Sequence, residues 1–220
     1  MSKFLILTDS IGNPRSFPVS EITQLEETYS YIIRNNFKNS TFWQLSYGNV
    51  STEQLFSQAA GYLSNWEPDI IIIHSGIIDS RPEAFTEFQK TVINKLTGRF
   101  VFGKIKKYVF HPALIRHRQV YRVSKARFRK TAKKIKLLFG QSKILWLEIC
   151  VADGYESARP GANKRMEAYN NIIKEIYGKD FVKIKEKILE VDGFNVDNLH
   201  WNKSGHRAVA DIILDRINAA

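Results

Sequence analysis

The chain holds a single cysteine, Cys150, so it can form no internal disulfide and no cluster of thiolate metal ligands. It has no long apolar run. The stretch from Phe4 to Leu7 is four residues long before Thr8-Asp9-Ser10 interrupts it, too short for the apolar core of a signal peptide. Nothing approaches the roughly 20 apolar residues of a membrane span. The expected address is therefore cytoplasmic. Internal repeats and low-complexity linkers are absent as well. Acidic residues are missing from one long segment: between Arg99 and Lys143 there are 15 Lys or Arg and no Asp or Glu. Of 33 basic residues in all, that leaves 18 elsewhere against 22 acidic ones, so the net charge of +11 arises from a basic segment on a slightly acidic body.

What is present is enough for one compact domain over residues 1–220, with the basic segment at about 99–143 as an insert. At 44% hydrophobic and 12% aromatic, 220 residues can bury a sizeable core. Phe4–Leu7, Ile70–Ile73 and Ile144–Ile149 are apolar on both faces, the pattern of buried parallel strands, and Phe181–Ile184 is a shorter fourth. Helical patterns lie between them. Ser51 with Gln54 forms a capping-box start, Asn163 to Tyr177 carries an apolar stripe, and a last helix runs from about Lys203 to Ile217. Such alternation predicts an α/β fold, a three-layer α/β/α sandwich with a parallel, flavodoxin-like sheet. Within the basic segment, Val120 to Phe139 reads as a helix with Tyr121, Phe128, Ala132, Ile135, Leu138 and Phe139 on one stripe. Its cationic face is either a solvated surface or a patch for an anionic glycan or membrane surface. No nucleic-acid-binding motif accompanies the charge.

In open parallel sheets, ligands bind beyond the carboxyl ends of the strands, and those ends are polar here. Thr8-Asp9-Ser10-Ile11-Gly12-Asn13 follows the first strand and His74-Ser75-Gly76-Ile77-Ile78-Asp79-Ser80-Arg81 the second. Ser46-Tyr47-Gly48-Asn49 precedes the helix at Ser51, and Asp197-Asn198-Leu199-His200 precedes the last helix. A serine hydroxyl needs an imidazole to take its proton and an acid to fix the imidazole's tautomer. Ser10, His200 and Asp197 suit those roles. The backbone amides of Ser10 and Gly48 are candidates to hold a developing oxyanion. Asp9 has a supporting role as acceptor for the first loop, and Asp79 either meets substrate or holds Arg81. His74, His111, His117 and His206 have no companions at metal-ligand spacing, so neither a metal nor a cofactor is expected.

At these residues the chain resembles the SGNH/GDSL hydrolases. The family's Gly-Asp-Ser-Leu block is matched by Thr8-Asp9-Ser10-Ile11, its second-block glycine by Gly48, its Gly-x-Asn-Asp block by Gly76-Ile77-Ile78-Asp79, and its Asp-x-x-His block by Asp197 to His200. The blocks occur in order over residues 8–200. The resemblance implies a serine-dependent esterase, with removal of a small acyl group from a saccharide as the favoured reaction, in the setting of surface-polysaccharide assembly. A sugar O-acyltransferase would use the same triad. A non-catalytic module for anionic glycan or membrane surface remains the reading in which the site is degenerate. One departure bears on this: the family's oxyanion asparagine is Ile78 here, which has no donor. Arg81, Asn13 and Asn49 are the candidates to replace it, Arg81 first because it shares the loop.

Overall fold

The computed structural model describes residues 1–97 and 111–219. The part of the basic segment at 98–110 lies outside the described residues. Five strands form one wholly parallel sheet in the order β2-β1-β3-β4-β5. They are β1 (Lys3–Thr8), β2 (Thr41–Ser46), β3 (Ile70–His74), β4 (Lys143–Leu147) and β5 (Phe181–Val182). This is the flavodoxin-like order, with its switch point between β1 and β3.

The order also decides which helix covers which face. Right-handed crossovers place α1 (Tyr29–Asn36), which joins β1 to β2, on one side. The chain then reverses direction across the sheet. Accordingly α2 (Thr52–Ala60), α6 (Lys125–Leu138) and α8 (Ala162–Tyr177) pack against one another on the opposite side. The last helix, α10 (Lys203–Asn218), returns to α1 and to α9 (Lys185–Glu190) and completes the three layers. Shorter helices are α3 (Ile77–Ser80), α5 (Pro112–Arg118) and α7 (Tyr155–Ala158), and a further helix, α4, is described over 87–97. No helix among the described residues is long and apolar enough to cross a membrane.

The apolar strands lie where their composition directs them: Phe4 to Leu7, Ile71 to Ile73 and Ile144 to Leu147 are buried on both faces. Three expectations need correction. β4 stops at Leu147, before Ile149, and β5 stops at Val182, before Ile184. The cause is Glu148, whose carboxylate accepts from the amides of Ile184 (2.9 Å) and Lys185 (3.0 Å), turning both chains out of the ladder. The helix expected from Val120 begins at Lys125, because Ser124 caps it by accepting from the Arg127 amide. Tyr121 is therefore off the apolar stripe; its ring lies 3.3 Å from the Arg165 guanidinium. Leu138 is 42% exposed and also off it. α6 buries Phe128, Ala132 and Ile135 as a layer helix of the sandwich, and its Lys125, Lys130, Lys133 and Lys134 face solvent.

Candidate active site

Strand register sets the site. Thr8, the last residue of β1, pairs with Ser46 of β2 and His74 of β3, so the three following loops leave the sheet side by side. The Asp9 amide donates to the His74 carbonyl at 3.0 Å, and the Asp9 carboxyl accepts from the Ile11 amide at 3.0 Å. Asp9 thereby caps the short 3-10 turn Ser10–Gly12. Ser10 is its first residue rather than its cap, which leaves the Ser10 side chain available.

The Ser10 hydroxyl lies 3.2 Å from His200 Nε2. His200 Nδ1 lies 2.7 Å from Asp197 Oδ2, and Asp197 Oδ1 accepts from the amides of Leu199 (3.0 Å) and His200 (2.9 Å). Because Asp197 can only accept, the imidazole proton sits on Nδ1 and Nε2 is left to accept from Ser10. Partial burial would raise the Asp197 carboxyl, but the hydrogen bonds from the His200 ring and from the His200 and Leu199 amides outweigh it and hold the group well below the usual carboxylate range. Arg15 is a fourth member that the spacing does not reveal: its Nη1 donates to Asp197 Oδ2 at 3.1 Å.

The loop carrying Asp197 and His200 is closed at its base. Asn202 caps α10 through the Ser204 (2.9 Å) and Gly205 (3.1 Å) amides, and its own amide donates to the Gly193 carbonyl at 3.0 Å. Beneath the loop, Trp201 is fully buried and stacks on His74, ring centroids 4.5 Å apart. His206 is buried beside them and accepts from the Tyr29 amide at 3.3 Å. Burial, helped by neighbouring histidines, pushes His74 and His206 down to about 3, so both rings are neutral.

Gly48, on the loop after β2, lies beside Ser10. A Cβ placed there would lie 3.8 Å from the Ser10 Cβ. The amides of Ser10 and Gly48 donate to no group among the described residues. Ile78 sits in α3, 7% exposed, and offers no donor. Of the three candidates to replace it, Arg81 is engaged elsewhere: its Nη2 donates to the buried Glu83 at 2.7 Å. Asn13 accepts the Ser46 hydroxyl at its Oδ1, and its NH2 has no partner among the described residues. Asn49, in the left-handed region at φ 60, is held at both oxygens by Arg122, Oδ1 at 2.9 Å and the carbonyl at 3.0 Å. That grip orients the Asn49 side chain with its amide group directed away from Arg122, and this NH2 has no partner among the described residues.

Asp79 does not hold Arg81. Its Oδ2 accepts from the amide (2.9 Å) and hydroxyl (3.0 Å) of Thr52, tying the start of α2, and with it the Gly48 loop, to the β3 loop. Burial pushes Asp79 up to about 6 against those hydrogen bonds. Gly76, at φ 122, allows the close packing of Ile149, whose Cδ1 would lie 2.4 Å from any Cβ there. Among the described residues no group of His, Cys, Asp or Glu is arranged to hold a metal ion.

Asp9 carries a stability test. Burial, eased by the Ile11 amide and reinforced by the Asp79 charge, raises its carboxyl from 3.8 to about 7. Protonated Asp9 thus favours the folded state, a contribution complete below about 3.8 and lost as pH rises through about 7. The neutral His74 and His206 have the opposite sign and act below 6.5. Between pH 6.5 and 8 the wild type is expected to lose about 1 kcal/mol that Asp9→Asn, which keeps the acceptor for Ile11, does not lose. Calorimetric melting of both proteins across that window measures it; parallel pH slopes would disprove the assignment.

No family model matches the sequence, and no curated protein matches it either. Solved structures do. A lipase/acylhydrolase from Enterococcus faecalis superposes with a TM-score of 0.68 at 12% identity, covering 100% of this chain and 96% of that one. The acetylxylan esterase Axe2 from Geobacillus stearothermophilus gives 0.64 at 18% identity over 98% and 94% of the two chains. A GDSL-like lipase from Parabacteroides merdae gives 0.64 at 13% identity over 100% and 96%. This chain therefore shares, over its full length, the fold of GDSL-type lipases and esterases.

Proposed function

We propose that the chain is a serine esterase of the SGNH/GDSL type. The observation that carries this reading is the continuous hydrogen-bonded chain Ser10–His200–Asp197 at the carboxyl end of β1, in a fold shared with esterases. His200 Nε2 takes the hydroxyl proton as Ser10 Oγ attacks the ester carbonyl, and Asp197 keeps the ring in the required tautomer while it is charged. The oxyanion that forms is held by the amides of Ser10 and Gly48. His200 returns the proton to the leaving alcohol, then activates a water that releases the acid from Ser10. The acyl group is small, acetyl in the first instance, and the alcohol is a saccharide, in line with the acetylxylan esterase among the structural neighbours. The decisive experiment is active-site labelling by a fluorophosphonate together with hydrolysis of p-nitrophenyl acetate; a protein that does neither is not a serine esterase.

Asn49 supplies the third oxyanion donor in place of Ile78. Its neighbour Gly48 abuts Ser10, and Arg122 occupies the oxygen end of its side chain. Asn49→Ala is expected to lower kcat by roughly 10²-fold with little change in KM, the cost of losing one preorganised donor. An unchanged kcat would remove Asn49 from the oxyanion hole.

A further inference from the structure

We infer that Arg15 is a positioning residue of the triad: its guanidinium fixes the Asp197 carboxylate in line with His200 and ties the chain that leaves Ser10 to the loop that carries the base. The inference rests on the Ser10–His200–Asp197 reading and adds to it a residue that acts through Asp197 alone.

Asp197 is held at both of its oxygens. Oδ1 accepts from the amides of Leu199 (3.0 Å) and His200 (2.9 Å), which fix it to its own loop. Oδ2 faces the imidazole, 2.7 Å from Nδ1, and its other donor among the described residues is Arg15 Nη1 at 3.1 Å. The guanidinium is itself locked along its far edge, because Nε and Nη2 both donate to the Phe17 carbonyl at 3.3 Å. A planar group gripped along one edge has little freedom to re-aim its remaining nitrogen. The backbone beneath is fixed as well. The Arg15 amide donates to the Thr23 carbonyl and the Thr23 amide to the Arg15 carbonyl, both at 2.9 Å, closing residues 15–23 into a loop. The donor that meets Oδ2 is therefore preorganised from the segment that follows Ser10.

Two properties suit arginine to this place. It keeps its proton throughout, so it can neighbour the acid without entering the path along which His200 takes and returns one. A partly exposed ion pair adds little to stability, and here the Arg15 and Asp197 side chains keep 22% and 36% of their surface in water. Its effect falls on alignment instead. The loop also has ties that survive the loss of Arg15. Both carboxylate oxygens of Glu21, on the same 15–23 segment, accept from the Val196 amide at 3.1 and 3.0 Å. Asn202 holds the far end of the loop at the Gly193 carbonyl. With Arg15 replaced, the backbone beside Asp197 stays anchored, while Oδ2 keeps the His200 ring as its one donor among the described residues.

Hydrolysis of p-nitrophenyl acetate by Arg15→Met, which removes the donors, tests this. We expect kcat to fall about tenfold with KM changed by less than about twofold, and Tm to stay within about 3 °C of the wild type. Arg15→Lys returns a cation to Oδ2 without the grip on Phe17, and should recover kcat to within about threefold of the wild type. In an Asp197→Ala background, Arg15→Met should change kcat by less than about twofold, since Arg15 acts through that carboxylate. An unchanged kcat in Arg15→Met, no recovery by Arg15→Lys, or equal losses in both backgrounds would overturn the positioning role and leave Ser10 as nucleophile. Proton NMR decides the role without turnover. The ring proton between His200 Nδ1 and Asp197 Oδ2 should give a downfield resonance in the wild type and in Arg15→Lys, and broaden away through exchange in Arg15→Met. A resonance absent from the wild type, or equally sharp in the three proteins, overturns the role. Should the resonance behave as expected while the wild type neither turns over ester nor takes up fluorophosphonate, the serine mechanism falls and the hold of Arg15 on Asp197 stands.

Discussion

Ser10→Ala lowers kcat/KM for p-nitrophenyl acetate by about 10⁴-fold or more and abolishes fluorophosphonate labelling, while the protein melts within about 2 °C of the wild type. The large kinetic effect follows from removal of the atom that forms the covalent bond. The oxyanion amides and the His200–Asp197 pair remain, so a residue of activity above the solution rate is expected to persist through an attacking water. The small thermal effect follows from local structure: Asp9, not Ser10, caps the 3-10 turn, and the partly exposed Ser10 hydroxyl has the His200 ring as its one side-chain partner among the described residues. Members of such a unit do not contribute additively. Ser10→Ala combined with His200→Ala should therefore be no slower than Ser10→Ala by more than a few-fold. Activity in Ser10→Ala above about a tenth of wild type would end the nucleophile assignment.

The features legible in the sequence share a physical property: each is determined locally. Phe4–Leu7 and Ile70–Ile73 are apolar on both faces, so they can only be interior strands, and the capping box at Ser51 and Gln54 recurs in both of its hydrogen bonds. β2 carries no such mark because it is an edge strand. Thr41, Trp43 and Gln44 face solvent, Trp43 half exposed against Trp66, and no apolar run marks it. In the site, Ser10, Asp197 and His200 could be singled out because two short blocks fall at strand and helix ends. Arg15 and Arg122 could not. Each acts across a separation, 182 residues from Arg15 to Asp197 and 73 from Arg122 to Asn49, that no spacing rule covers. The reading of Arg81 as replacement for the missing donor meets a related limit. Adjacency on the loop suggested it, but burial of Glu83 nearby commands the guanidinium first.

Gly205→Ala is expected to destabilise the fold by about 3 kcal/mol, a fall of roughly 6 to 12 °C in Tm for a chain of this size, and to lower kcat as well. Gly205 lies in the first turn of α10, packed directly on Gly193. A Cβ on Gly205 would stand 2.3 Å from the Gly193 carbonyl oxygen, and a Cβ on Gly193 would stand 2.5 Å from the Gly205 Cα. Both obstacles are backbone, so no side-chain rotation relieves them and the helix must move away from the loop. That contact closes the base of the segment bearing Asp197 and His200, alongside the Asn202 amide bond to Gly193. A shift of even 1 Å would draw His200 Nε2 away from its 3.2 Å approach to Ser10, and misplacement of that size costs on the order of 10²-fold. Gly61 provides the control. It ends α2 in right-handed helical geometry with nothing within 4 Å of a Cβ, so Gly61→Ala should leave kcat alone and raise stability by about 0.4 to 1 kcal/mol. If the two glycines respond alike, in Tm or in kcat, the Gly193–Gly205 contact is not what holds the His200 loop in place.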